Sequence, residues 1–313
     1  MNAALICILI PALLGLAPQA ARPPREPSSQ EIEKMTAAAP DKAQAAPRQA
    51  RRLLVLGDAA FHDPVPYCAK AVEILGRKTG AFETVVTGDG AWLEPARIGA
   101  FDAILLNNWH SFNPFLPATR REFLDATPEK QAEMQAVEAR RRRSLVEFVA
   151  GGKGLVGIHG AMVGYNNWKE YGDILGARYQ AVLYMEAAVR IDDPSHPVNA
   201  AFGGKGFRLA DEFYEFREPY SRESLHVLLS IDMTSMAGVE KIRKFGKPMR
   251  TDDDFALSWV KSYGRGRVFV SAFGHLDEVY WNPLILRHFL DGIQFAMGDL
   301  DGDTAPSAMA QPR

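Results

Sequence analysis

The chain has 313 residues, of which 47% are apolar and 24% charged, and its net charge is −2. This is the composition of a globular protein able to bury a large core, and it lacks the broad basic field of a nucleic-acid binder. Cys7 and Cys68 are the only cysteines. Cys7 lies in the N-terminal apolar segment, so loss of that segment leaves Cys68 without a partner for an internal disulfide.

Ala3–Ala17 is an apolar run interrupted by Pro11 and Gly15. It is short for a spanning helix and fits the hydrophobic region of a secretory signal. Residues 1–21 are therefore expected to direct export to the periplasm or beyond. The alternative is an uncleaved anchor, the only route by which a membrane would be a partner. Residues 22–50 are rich in Pro, Ala, Gln and Ser and are expected to be a disordered linker with a short helix near Glu31–Ala38. One α/β domain should then occupy residues 51–298, followed by a disordered tail over 299–313.

Within the domain the pattern alternates. Leu53–Gly57, Phe82–Thr87, Ala103–Leu106 and Leu155–His159 read as strands. Tyr67–Thr79, Pro128–Val149 and Trp168–Leu175 read as helices. Strands that are apolar on both faces, alternating with helices, predict a doubly wound, mostly parallel sheet covered on both sides. The second half is strand-rich: Ala187–Ile191, Phe213–Phe216, Val227–Ile231, Leu257–Val260 and Val268–Ala272, before a closing helix over Pro283–Met297. Gly264-Arg265-Gly266 reads as a hairpin turn. Gly203-Gly204-Lys205-Gly206 reads as a flexible loop with no phosphate-cradling context, and Met233–Asp254 as a surface excursion. The Arg140–Arg143 run reads as a solvated helix face, and the Asp252–Asp254 run as a solvated loop.

Four of the seven histidines stand at or just beyond strand C-termini: His62, His110, His159 and His275. Ligands of open parallel sheets bind outside these ends, so the four imidazoles are expected to converge. His159 lies in Gly157-Ile158-His159-Gly160-Ala161, which resembles a nucleophile elbow without the usual Ser or Cys, and a following helix would aim N–H groups at an anion. Asp211-Glu212 lead a strand and point to opposite faces, so one of the two would face the site. Imidazoles with a carboxylate suit zinc, iron or nickel; His62, His110, His159 and His275 are the candidate ligands of a divalent transition metal. His196 reads as structural, and His226 and His288 as structural or surface residues.

The motifs from Gly152 to Ala161, Trp168–Tyr171 with Leu175-Gly176, His196-Pro197, Asp211-Glu212 with Tyr214, Trp259-Val260, Tyr263–Phe269, Gly274-His275 and Trp281, taken in order, resemble the ThuA-like (trehalose-utilisation) family. The resemblance implies a flavodoxin-like fold related to class I glutamine amidotransferases. In those enzymes a Cys occupies the elbow, whereas His159 stands here, and the late strand is followed by His275 with Asp277 and Glu278. A standard amidotransferase is therefore not expected. Many family members carry Gly-Gly and then a His after the short helix, whereas this chain has Gly176-Ala177 and no His through Val182.

The family's link to sugar catabolism implies an enzyme acting on a sugar or keto-sugar by hydrolysis, elimination or isomerisation. His159 and His275 would be acid and base, and Asp211 or Glu212 would orient a histidine or ligate the same metal. His62, His110, Trp109, Trp168 and Tyr214 would bind a small carbohydrate. The rivals are a non-catalytic carbohydrate-binding module and a structural interaction protein; the latter would show a large exposed apolar patch.

Overall fold

A computed structural model describes residues 25–58, 62–109, 113–234 and 250–307. The proposed export segment lies outside them, as does most of the Met233–Asp254 excursion. Among the described residues no helix is long and apolar enough to cross a membrane.

Among the described residues nine strands form one sheet: β1 (Arg52–Leu56), β2 (Glu83–Thr87), β3 (Ala103–Asn107), β4 (Gly154–Ile158), β5 (Arg178–Ile191), β6 (Phe207–Arg217), β7 (His226–Ile231), β8 (Ala256–Tyr263) and β9 (Gly266–Ser271). Their order is β2-β1-β3-β4-β9-β8-β7-β5-β6. The first five are parallel and the rest antiparallel. The parallel half has the doubly wound order of flavodoxin-like folds, with the winding reversing between β1 and β3. The strands alternate strictly between two cores. Leu53, Val55, Ala103, Leu105, Val156 and Ile158 pack on one face; Leu54, Leu56, Ile104, Leu106 and Leu155 pack on the other.

On the first face lie α1 (Ser29–Ala38), α2 (Val65–Thr79) and α7 (Pro283–Met297), which contribute Met35, Ile74, Leu75, Leu286 and Phe289. On the second lie α3 (Pro95–Ile98), α5 (Pro128–Ala150) and α6 (Lys169–Leu175), which contribute Ile98, Leu145, Phe148, Ile174 and Leu175. The short α4 (Arg120–Asp125) buries none of its residues. Each large apolar side chain so buried contributes about 1.5–3 kcal/mol, and the central strands β3 and β4 are buried along their whole length because they are sandwiched between the two cores. The Gly264-Arg265 turn joins β8 to β9 with Tyr263 opposite Gly266, as expected.

Three expectations need correction. Residues 25–50 are a strap rather than a free linker. Ser28 and Glu31 form a capping box at the start of α1, Met35 is fully buried, and the Gln294 side chain holds the backbone of Gln44 and Ala45. The strap compensates for its few large apolar residues with such backbone contacts, which composition does not reveal. Likewise residues 299–307 are docked. Buried Asp299 accepts from Arg51 at 2.6–3.1 Å, and Ser307 donates its N–H to the Leu225 carbonyl at 2.9 Å. Finally, the Arg140–Arg143 run is not uniformly solvated. Arg141 is buried, pairs with Glu94 at 2.9 Å and donates to the Pro114 carbonyl at 3.1 Å. The Asp252–Asp254 run is engaged by arginines, with Arg250 on Asp252 and Arg222 on Asp254.

Candidate active site

β4 ends at Ile158, and the next residue, His159, adopts φ +44°. A side chain in the left-handed region is strained by about 1–2 kcal/mol, and such strain clusters at working sites. Gly160 lets the turn close, since a Cβ there would sit 3.2–3.3 Å from the Asn108 backbone. Beyond β4 the chain makes a 3-10 turn, His159–Met162, in place of the expected helix. The Gly160 N–H is directed at Asn108 Oδ1, 3.4 Å away, so it is not offered to an anion. The His159 ring is fully buried, with Nδ1 2.8 Å from the Ala272 carbonyl. A carbonyl only accepts, so Nδ1 carries the proton and Nε2 the lone pair. Tyr214 donates its hydroxyl to that lone pair at 2.7 Å.

His275 stands on the loop after β9. Gly274 there has φ +129°, and a Cβ would lie 2.5 Å from the Tyr280 hydroxyl, so only glycine fits. Asp211 anchors this loop: its carboxylate accepts the N–H groups of Gly274, His275 and Leu276 at 2.7–3.0 Å. Burial pushes the Asp211 carboxyl up to about 6, against the downward pull of these donors. Tyr280 ties the loop to its neighbours, donating to the Gly274 carbonyl at 2.7 Å and accepting from Asn108 at 3.2 Å.

β6 is the last strand in the sheet order. Five steps of about 4.8 Å would put it roughly 24 Å from β4 in a flat sheet. Yet Tyr214 touches His159 and Asp211 touches the β9 loop. The reason lies in β5, which pairs with β7 only through Val189–Ile191 but with β6 from Arg178 to Val189. The β5–β6 ribbon therefore extends past the sheet and folds over the C-terminal ends of the parallel strands. Strand alternation then sorts its side chains. Asp211 grips the loop, while Glu212 and Tyr214 share the opposite face and look onto the imidazoles.

The rings of His62, His159 and His275 lie 5.3–5.5 Å apart, centre to centre. Glu212 Oε1 is 3.7 Å from His159 Nε2 and 3.8 Å from His275 Nδ1. His275 and His62 are part-exposed at the mouth and His159 forms the floor. Tyr214 is also buried, and burial followed by the Glu212 charge raises its hydroxyl above the ordinary value. Beside the ends of β1 and β2 opens a cleft of about 670 Å³ whose lining includes Asp58, Asp89, Asn113, Arg120 and Phe123.

A family model described as trehalose utilisation, ThuA, matches residues 52–296. The chain belongs to the ThuA family. Similar solved structures include a ThuA-like protein from Bacteroides uniformis (TM-score 0.53, 20% identity, covering 78% of this chain and 91% of that one). Another is a ThuA-like protein from Parabacteroides merdae (TM-score 0.54, 15% identity, 82% and 93% covered). A third is a cytoplasmic protein from Salmonella typhimurium (TM-score 0.50, 13% identity, 77% and 97% covered). At these identities the likeness is one of fold. The comparison with curated proteins yields no match.

Of the four imidazoles expected from their places at strand C-termini to converge, three gather; His110 lies outside the described residues. The indoles do not form a sugar platform. Trp109 is fully buried, donates to the Leu56 carbonyl at 2.7 Å and stacks on Tyr171; it has no face to offer. Trp168 also stacks on Tyr171, with Phe115 against it and Arg142 over it. Cys68 is buried in α2, and burial pushes its thiol up to about 12, which excludes it as an elbow substitute. After Gly176-Ala177, where the resemblance led to an expected histidine, this chain enters β5, and Tyr179 packs edge-on against Tyr214 at 5.4 Å. Asn108 and Tyr280 were not anticipated. A hint of the first was the Asn107-Asn108 pair closing an apolar strand, because Asn tolerates the positive φ (+54°) that Asn108 adopts.

Proposed function

We propose that this ThuA-family chain is an enzyme that acts on a sugar or keto-sugar by proton transfer at a hydroxylated carbon. One observation carries the reading: three imidazoles from distant parts of the chain share one mouth with a carboxylate oxygen less than 4 Å from two of them. His275 and His62, the part-exposed rings, would meet the substrate as acid and base. His159 on the floor is held by Ala272 and Tyr214, and Glu212 stands between it and His275. The 3.8 Å separation of Glu212 and His275 would shorten when a substrate fills the mouth, as catalytic contacts commonly do. The cleft of about 670 Å³ beside the ends of β1 and β2 has the size of a small-ligand site, and its mix of carboxylates, an amide and guanidinium groups suits hydroxyl groups.

The test is turnover of a panel of glycosides and keto-glycosides by the full chain, compared with His275→Ala and His62→Ala. Losses of about 10²–10⁴-fold are expected for an acid–base group. Unchanged turnover in both folded variants would remove the proposal. Binding without turnover across the panel would favour a carbohydrate-binding module.

A further inference from the structure

We propose that His62, His159 and His275 form a mononuclear divalent transition-metal site, with Glu212 as its carboxylate ligand. The inference deepens the reading above and rests on the same mouth, but it stands on geometry of its own. One ligand nitrogen from each ring lies within 4.8 Å of the other two. A point equidistant from three atoms at that spacing is about 2.8 Å from each, against about 2.1 Å for a zinc–imidazole bond. Ring movements of less than about 1 Å would close the difference.

The donor set is chemically matched. Three neutral nitrogens and one carboxylate select zinc, iron(II) or nickel(II) over the hard cations, which prefer oxygen. The supporting contacts have the form found around ligating histidines. His159 gives Nδ1–H to the Ala272 carbonyl, which fixes the tautomer and aims the Nε2 lone pair inward. Asp211 fixes the backbone of His275 through three N–H groups. Glu212 Oε1 already stands within 3.8 Å of nitrogens on two of the rings. Protein ligands would fill four positions, and the part-exposed side of His62 and His275 would leave room for a vicinal diol or hydroxy-ketone oxygen of the substrate. Tyr214 donates to His159 Nε2 and would have to release that nitrogen, so the phenol competes with the metal rather than assisting it.

The experiment is calorimetric titration of the chelator-stripped full chain with zinc(II), nickel(II) and anaerobic iron(II), with thermal unfolding followed in parallel. We expect one equivalent of at least one metal, and a rise in midpoint on binding. His62→Ala and His275→Ala should weaken it on the order of 100-fold. Both rings are part-exposed, so the variants should fold, and their metal-free midpoints check this. Tyr214→Phe should bind as tightly or more tightly, and His226→Asn, at the other histidine cluster, should bind unchanged. Substoichiometric binding of all three metals, or equal binding by the His62 and His275 variants, would overturn the site. The two proposals can fail separately. Stoichiometric metal without turnover would keep the site and sink the enzyme. Turnover by stripped protein that binds no metal would sink the site and leave acid–base chemistry.

Discussion

Among the described residues the histidines fall into two groups of three, and the groups are used in opposite ways. His196, His226 and His288 each engage both ring nitrogens with structural partners. Nδ1 of His196 accepts from Val198 N–H and its Nε2 meets the Asp303 carbonyl. His226 bridges the Ala305 carbonyl and Asp193, and His288 bridges the Val198 carbonyl and Ser258. These rings fasten the C-terminal segment and α7 to the antiparallel half. His159 also has both nitrogens engaged, by the Ala272 carbonyl and the Tyr214 hydroxyl, but its ring stands against those of His62 and His275 at the open end of the parallel half, with Glu212 beside His159 and His275. Proximity of histidines is therefore not itself the signal, since the rings of His196 and His226 are only 5.1 Å apart. Position at the C-termini of the parallel strands separates the groups, since His196 follows the antiparallel β5.

The largest expected effect tests that division through activity. Glu212→Gln keeps the shape but removes the charge facing His159 and His275, and turnover should fall about 10²–10³-fold. His226→Asn should leave turnover per folded molecule unchanged. Equal losses in both would erase the distinction.

The second prediction concerns acid stability. Burial lowers His288 and His196 to about 4 from the ordinary 6.5. A histidine with a depressed folded-state value contributes stability above pH 6.5, and loses it as pH falls through the window down to about 4, because the unfolded chain binds protons first. The cost reaches about 3 kcal/mol for each ring at the acid end. Denaturant midpoints measured from pH 7 to 4 should show this slope, and His288→Gln should flatten part of it. A profile independent of pH would contradict the buried, neutral assignment.

Next comes the strap. Met35→Ala should cost about 2–5 kcal/mol in equilibrium unfolding, the range for a buried Met truncation; no loss would restore the free linker expected from composition. The smallest effect is at Cys68, where a thiol reagent should react only as fast as the protein opens.

Much of the parallel half was legible because its strands are continuous apolar runs with helices between them. The closing helix was read at its observed bounds, since Pro283 and Gly298 punctuate it. β5 and β6 were read as far shorter than they are: Arg178, Gln180, Arg208 and Asp211 break the apolar pattern, and their residues project from a ribbon instead of lying between two cores. Strand ends located the histidines, but alternation alone could not say whether Asp211 or Glu212 would face them. That choice depends on the ribbon folding over the edge, a tertiary event with no local signature. The strap escaped notice for a related reason, because Gln294 and Asp299 hold backbone that lies about 250 residues away in sequence.

The gathering of His62, His159 and His275 is tested most directly by imidazole nitrogen NMR of the full chain, comparing the native protein with His275→Ala. The ring signals of His62 and His159 should shift together, with His159 showing a protonated Nδ1 and an unprotonated Nε2, while those of His196, His226 and His288 stay in place. Unmoved signals from His62 and His159 would mean that the three rings do not share a pocket.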